Sequence, residues 1–486
     1  MLADHRPGWS VTTSLPNNAL SASTRIEDVG RNWQAWLLTA TALLLFARLG
    51  LMWFAPLADT TEARYGEIAR QAVSNGFWLM PHMDPQTPFF AKPPLSTWSS
   101  AAFMAVFGVN EFAARLPALL VSLGAIWITM RMAAELGLRQ RWLVIPVLAS
   151  SPLFFASAGA VMTDAVQMGV VLAAQYCAWQ VWREAPQTSR WRLAFWAMIG
   201  LGALSKGLAT WVLIALPLAS FAFMQGKPMQ LLRRLADPRG VLLALVTFLP
   251  WYIAAEARYP GFLNYFIVGE HFARFLQPGW MGDRYGTAHR QPLGAIWIFW
   301  TGAILPWIGV FGCLLFRAVQ RWRGRPAVMQ PLECFLWCAT LAPLLFFTFS
   351  RNIIWTYALT AIPPFAVLAA QWLEDSAESL QQRSALGLAA FAALVLTCAP
   401  LIERQMNANS ERELIQNFLQ HAPTGAQLHY QTHPAFSSAF YSKGALCKGD
   451  CHSKVVVMDN QEAQRLHIPA DRIRFQGAHR SLVEIK

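Results

Sequence analysis

The chain has 486 residues, 55% of them hydrophobic and only 14% charged, with 22 Trp and a formal net charge of +12. That balance excludes an ordinary water-soluble domain and suits a surface that faces lipid. The positive charge does not mark a nucleic-acid binder, because the basic residues recur in short clusters between apolar runs instead of forming one stripe with interleaved aromatics.

Residues 1–33 are polar and too long for the basic start of a cleaved signal, and no small-residue cleavage site follows the first apolar run. That run is expected to be an uncleaved anchor behind a cytoplasmic N-terminal segment. Stretches able to cross roughly 30 Å of hydrocarbon as helices lie at 34–54, 112–131, 143–160, 164–182, 191–206, 207–225, 239–256, 292–316, 331–349, 352–371 and 384–403. The prediction is therefore an all-α polytopic membrane protein with 11 spans, or up to 13 if residues 93–108 and one further stretch also cross. That segment, "PPLSTWSSAAFMAVFG", is apolar but short and begins with two prolines. It reads as a helix lying at or dipping into the outer surface.

Basic residues alternate between the connections as the positive-inside rule expects: Arg131, Arg139 and Arg141; Arg183, Arg190 and Arg192; Lys227, Arg233, Arg234 and Arg239; Arg317, Arg321, Arg323 and Arg325. These loops are assigned to the cytoplasm. The intervening connections and the C-terminus then lie outside, and the transmembrane domain spans 34–403. From 404 to 486 the texture changes to an amphipathic helix followed by short strands and turns in "AQLHYQTHPAFSSAFYSKG" and "SKVVVMD", a small α+β soluble domain in the periplasm. Five cysteines sit in apolar spans, where a thiol is a small hydrophobe. Cys447 and Cys451 bracket a turn, and in an oxidising compartment a disulfide is expected there over a metal site, which would need two more ligands.

Ionisable groups at membrane depth are costly, so their placement carries information. The candidates fall in outer connections. The first holds Asp59, Glu62, Arg64, Tyr65, Glu67, Arg70, His82 and Lys92; the second and third hold Asp164 and Lys206; the fourth holds Glu270, His271, Arg274, Asp283, His289 and Arg290. Acids and bases from four connections thus meet one end of the bundle. Each has a plainer reading. Glu111 and Arg115 have the spacing of a helix-surface ion pair, Glu67 and Arg70 that of a solvated face, and Asp164 could merely stabilise a helix start. His271 could satisfy a carbonyl. Lys92, in "FFAKPP", has no helix to decorate, because the prolines forbid one through it.

"DTTEARYGEIARQAVSNGFWLMPHMDPQTPFFAKPPLSTW" and "NEFAARLPALL" resemble the first periplasmic loop of polyprenyl-phosphate-sugar glycosyltransferases of the GT-C type, above all the aminoarabinose transferases that modify lipid A and, more distantly, the protein O-mannosyltransferases. "MTDA", "SKG", "GEHFARF" and "SRNIIWTYALTAIPP" extend the likeness over about 34–370. The resemblance implies transfer of a sugar from undecaprenyl phosphate to lipid A or another envelope acceptor, in the bacterial inner membrane with the site facing the periplasm. Lys92, Arg274 and Lys206 would hold the donor phosphate, and Arg64, Tyr65, His271 and Tyr357 would bind substrate. Asp59 would be the base, with Glu62 or Asp164 in reserve. Two departures stand out. Relatives often read Asp-Pro-Asp-Glu-x-Arg-Tyr where this chain has Thr61 in place of the second of three acids, which leaves Asp59 and Glu62 open. Ala91 replaces an acid before Lys92, which weakens the case for a divalent metal shared with His271.

Chemistry fits the same location. A lipid-linked sugar keeps its tail in the bilayer and its anomeric carbon at the surface, so the enzyme needs a site at one interface. Preorganised cations stabilise the departing phosphate, which needs no proton, so one general base suffices. A protein O-glycosyltransferase of the same fold is an alternative acceptor class. A transporter or flippase would instead place charges near the bilayer midplane in two repeated halves, and no such repeat is visible. A scaffold predicts no convergence of acids with bases.

Overall fold

A computed structural model describes residues 33–323, 329–421, 427–447 and 455–484. The N-terminal segment before Trp33 and Cys451 lie outside the described residues. Among the described residues, six helices are individually long and apolar enough to cross a membrane: Trp33–Phe54, Glu111–Leu136, Pro238–Arg258, Pro331–Thr348, Trp355–Glu374 and Glu378–Ala408. Ala295–Ala303 and Ile308–Arg321, bent by 119°, add a seventh if they are one span. Helices Thr163–Trp182, Thr188–Lys206 and Leu208–Met224 occupy three further predicted positions.

The predicted span 143–160 is not a continuous helix. It is divided into Val144–Ser150 and Pro152–Ser157, because Ser151 is extended (ψ 113°) ahead of a proline whose ring cannot continue the helix. The 93–108 stretch forms Leu95–Phe107, whose 13 residues are too few to cross on their own.

Apolar side chains divide between two environments. Trp36, Phe46 and Trp53 of the first helix are exposed on the surface that a bilayer would cover, while Leu37 and Leu44 are fully buried in the main core. Thr163–Trp182 runs through that core with most of its residues buried. Its Gln167, Gln175 and Gln180 lower its hydropathy and are satisfied by neighbours, as with Gln175 donating to the Leu213 carbonyl at 3.1 Å.

Polar groups gather at the two ends of the bundle. At one, Glu374 accepts from the backbone of Arg139 and Gln140, Arg234 reaches the Trp182 carbonyl, and Arg192 pairs with Asp237. The other carries the acidic connections and the small domain. There β1 (Leu428–Tyr430), β2 (Leu446–Cys447), β3 (Val455–Asp459), β4 (Ile473–Gln476) and β5 (Arg480–Glu484) form one sheet in the order β2-β1-β3-β5-β4. β1 runs parallel to β2 and β3, and the other pairings are antiparallel. The predicted strand-rich stretch after β1 instead contains the helix Phe436–Tyr441, and helix Glu378–Ala408 runs on past residue 404. Cys447 is disulfide-bonded.

Candidate active site

Four connections bring their charges to one cavity of ≈ 690 Å³. Lys92 sits on the bend before Pro93, where its Nζ donates to the Ala91 carbonyl and to Glu270, both at 2.8 Å. Glu270 belongs to a wide-wound helical segment, Asn264–Ala273, that continues as Arg274–Leu276. Its carboxylate also accepts from Arg274 at 3.2 Å and from the Tyr265 hydroxyl at 3.2 Å. Arg274 bonds onward to Asp283 at 3.1 Å. Burial alone would raise the Glu270 carboxyl, but Lys92 and Arg274 outweigh it and hold it below the usual carboxylate range.

Asp164 and Lys206 form the second charged pair, 2.7 Å apart, from the start of one helix and the last residue of the next. Asp164 is the acidic residue in the first turn of its helix, so it complements the helix start as well as pairing with Lys206. Lys206 is followed by Gly207 at φ +60°, where a Cβ would lie 2.8 Å from the Phe266 ring; only glycine lets the chain turn there. The Lys206 ammonium also stands 5.7 Å from the centre of the Tyr357 ring. His271 faces two backbone carbonyls, Phe266 at 2.8 Å and Lys206 at 3.0 Å, and burial pushes its ring pKa down. A neutral ring has one N–H and donates to one of these carbonyls at a time, which fastens the helix end to the segment; no three His, Cys, Asp or Glu among the described residues are grouped to hold a metal.

Away from this charged end the wall is apolar, with Leu208, Val212, Phe272, Leu276, Phe346 and Leu359. The cavity therefore offers three cations against two carboxylates at one end, and greasy surface at the other.

The other predicted residues are distributed around it. Arg64 donates to the Tyr285 carbonyl at 2.7 Å and lies over the ring of Tyr65, which packs edge-on against Phe89. Burial raises the Tyr65 phenol, on which the charges of Lys206, Asp164 and Glu270 also act. Glu62 accepts from Arg115 at 2.7 Å and from the Val161 amide at 2.9 Å. The expected Glu111–Arg115 pair does not form. Arg115, 1% exposed, turns instead toward the end of the first helix and donates to the carbonyls of Met52, Ala55 and Pro56, where a helix leaves its last carbonyls without intrahelical donors. Glu111 takes Arg412 and Tyr441 from the small domain. Glu67 and Arg70 do pair, at 2.6 Å, but both are buried instead of forming a solvated face.

Asp59 stands apart from the cavity. Its carboxylate accepts from the Ser437 hydroxyl and from the Ser437 amide at 3.2 Å, and its amide donates to the Asn409 carbonyl at 2.7 Å. Burial raises its pKa, with Ser437 pulling the other way. It lines a different cavity, of ≈ 730 Å³, with Glu403, Glu411 and Arg480 at the junction with the small domain.

Sequence reasoning counted Glu270 among the outer acids without giving it a role, although its i, i+4 spacing to Arg274 was a signal. Asn352 was missed. Its side chain donates to the carbonyls of Arg274 (2.5 Å) and Gln277 (2.6 Å) and so holds the segment that carries Arg274.

Residues 91–253 match the family described as dolichyl-phosphate-mannose-protein mannosyltransferase. The undecaprenyl phosphate-alpha-4-amino-4-deoxy-L-arabinose arabinosyl transferase of Erwinia tasmaniensis is 27% identical over 77% of this chain and 68% of its own length. The protein of the same name from Pseudomonas paraeruginosa is 30% identical over 71% of this chain and 61% of its own length. The chain spans about three fifths of the length of most of the first such relatives. The crystal structure of ArnT from Cupriavidus metallidurans bound to undecaprenyl phosphate superposes with a TM-score of 0.73 at 20% identity, over 92% of this chain and 98% of that one. The fold is therefore that of the GT-C transferases, and the resemblance stated from the sequence holds.

Proposed function

From its likeness to the aminoarabinose transferases and its GT-C fold, we infer that this chain is a membrane glycosyltransferase that moves a sugar from undecaprenyl phosphate to an acceptor at the periplasmic face of the inner membrane. The observation that carries the reading is the cavity with Lys92, Lys206 and Arg274 at one end and an apolar wall behind them. A polyprenyl phosphate has the same two parts, an anionic head and a hydrocarbon tail.

The bond between the anomeric carbon and the phosphate oxygen breaks while an acceptor oxygen attacks that carbon. The three cations take the charge left on the phosphate, and one carboxylate removes the acceptor proton. Of the three carboxylates proposed for that task, Asp164 lines the cavity, whereas Glu62 is held by Arg115 and Asp59 by Ser437. Asp164 is therefore assigned as the base. His271 and Tyr357 line the cavity, whereas Arg64 and Tyr65 are not among its lining residues. The acceptor assigned is lipid A or another envelope glycan, since both present hydroxyl or phosphate oxygens at that interface.

Two measurements test this. Purified protein should release undecaprenyl phosphate from an undecaprenyl-phosphate sugar only when acceptor is present. Mass spectrometry of lipid A and envelope glycans, with and without the gene, should then reveal the added sugar. Identical glycans in both strains, with the addition found on proteins, would move the acceptor to the protein class.

A further inference from the structure

Remote from the charged cavity, three sulfur atoms meet at the opposite end of the bundle. Cys334 lies in the first turns of helix Pro331–Thr348 and Cys338 one turn further in, so both face the same side. The Met224 Sδ, at the end of helix Leu208–Met224, is 3.9 Å from the Cys334 Sγ and 3.6 Å from the Cys338 Sγ. The two thiols also interact with each other. Both cysteines are free and buried, while Met224 is 65% exposed, which gives the cluster one open side.

We propose that Cys334, Cys338 and Met224 form a binding site for a soft monovalent metal ion, Cu(I) or its surrogate Ag(I). Geometry supports this: for metal–sulfur bonds of ~2.3 Å, a trigonal plane places the sulfurs about 4 Å apart. The observed separations are thus already close to those a bound ion requires. Ligand chemistry selects the ion. Thiolate and thioether donors favour Cu(I), whereas zinc in structural sites takes four N, S or carboxylate ligands and hard cations take oxygen.

Binding releases the two thiol protons and leaves a three-coordinate complex with one net negative charge. Cys334, the fourth residue of helix Pro331–Thr348, is near enough to its start to favour that charge, whereas Glu333 beside it and the end of helix Leu208–Met224 oppose it. The same end of the bundle carries Lys227, Arg233 and Arg234 just beyond Met224 and Arg317 and Arg321 before Pro331. The site is independent of the sugar-transfer reading.

The test uses the full-length protein, reduced and in detergent, titrated without oxygen with Cu(I) against a chromogenic Cu(I) chelator. One ion per chain is expected, with a thiolate-to-copper charge-transfer band in the ultraviolet. Cys338→Ser should weaken retention by about 100-fold and Met224→Leu by about 10-fold, while Cys313→Ser leaves it unchanged. Melting temperature and elution volume check that each variant is folded. Equal retention by a Cys334→Ser/Cys338→Ser double variant, failure of the native chain to hold copper against the chelator, or equally tight retention of Zn(II) would each overturn the proposal.

Discussion

Lys92→Ala separates the grip on a phosphate from the packing of a buried carboxylate. Lys92 is 24% exposed and Glu270 3% exposed, so removing the ammonium strips one partner from a nearly buried charge. Breaking a buried pair outright costs about 3–5 kcal/mol. Glu270 keeps both bonds to Arg274 and the Tyr265 hydroxyl, and Lys92 is partly in water. The stability loss should therefore be smaller, about 1–2 kcal/mol. The loss of a charge-assisted bond to the donor phosphate is worth ~1.5–3 kcal/mol, or about 10- to 150-fold in affinity. Binding of undecaprenyl phosphate, measured by calorimetry in detergent, is set beside the melting temperature of the same sample. The double variant Lys92→Ala/Glu270→Gln removes the stranded charge. It should recover most of the stability and none of the donor affinity. Donor binding in Lys92→Ala within threefold of the native value would refute the phosphate role. Recovery of binding in the double variant would reduce Lys92 to a counter-ion for Glu270.

Glu62→Gln should act on folding and not on chemistry: Arg115, 2% exposed along its side chain, keeps its carbonyl partners but loses its anion, at a cost of about 2–4 kcal/mol. Yield and melting temperature should fall while the folded fraction keeps its specific activity, and a folded but inactive variant would return Glu62 to the reaction. Asp59 supplies a pH dependence. Its folded-state pKa is raised, chiefly by burial, so the docked state binds the proton more tightly than the undocked one. Docking of the small domain is then favoured at low pH and weakens as pH rises from the usual carboxylate value through the raised one. Hydrogen exchange over Phe436–Tyr441 should follow that slope in the native protein and be flat in Asp59→Asn; an equal slope in both would dismiss Asp59 as the titrating group.

Much of the architecture was legible because a bilayer imposes simple rules: apolar length marks the helices, and basic clusters mark one set of loops. The convergence of Lys92, Asp164, Lys206 and Arg274 was legible for a related reason, since charges are affordable only at the ends of the spans. Local spacing failed where a distant group offered more. Glu111 and Arg115 have ideal helical separation, yet the buried guanidinium pairs with Glu62, a carboxylate from another segment, and with carbonyls at the end of the first helix. Asp59 was misleading in a different way. Its position after the first helix suggested the cavity, but its partner Ser437 lies 378 residues further on, in a domain whose docking no local pattern encodes.

The pairing of every cavity cation with a carboxylate has a consequence for how donor binding and proton removal are linked. While Lys206 bonds Asp164, the ammonium is directed at a carboxylate and that carboxylate is a weak base, because its charge is already shared. The phosphodiester monoanion of an arriving donor competes for Lys206, and each step of the ammonium toward that phosphate frees Asp164 to accept a proton. On the proposed reading donor entry arms the base, and the carboxylate is not left unpaired before it, when its desolvation would be costly. The two members of the pair should then respond differently. Asp164→Asn should lose transfer by a factor of about 100 or more while binding undecaprenyl phosphate at least as well as the native protein, since the base is gone and Lys206 is released from its carboxylate. Lys206→Met should lose donor affinity and transfer together. If Lys206→Met binds the lipid phosphate normally and fails only in transfer, Lys206 serves to position Asp164 and takes no part in holding the phosphate; if Asp164→Asn retains transfer, the base lies elsewhere and the exchange of partners does not drive the reaction.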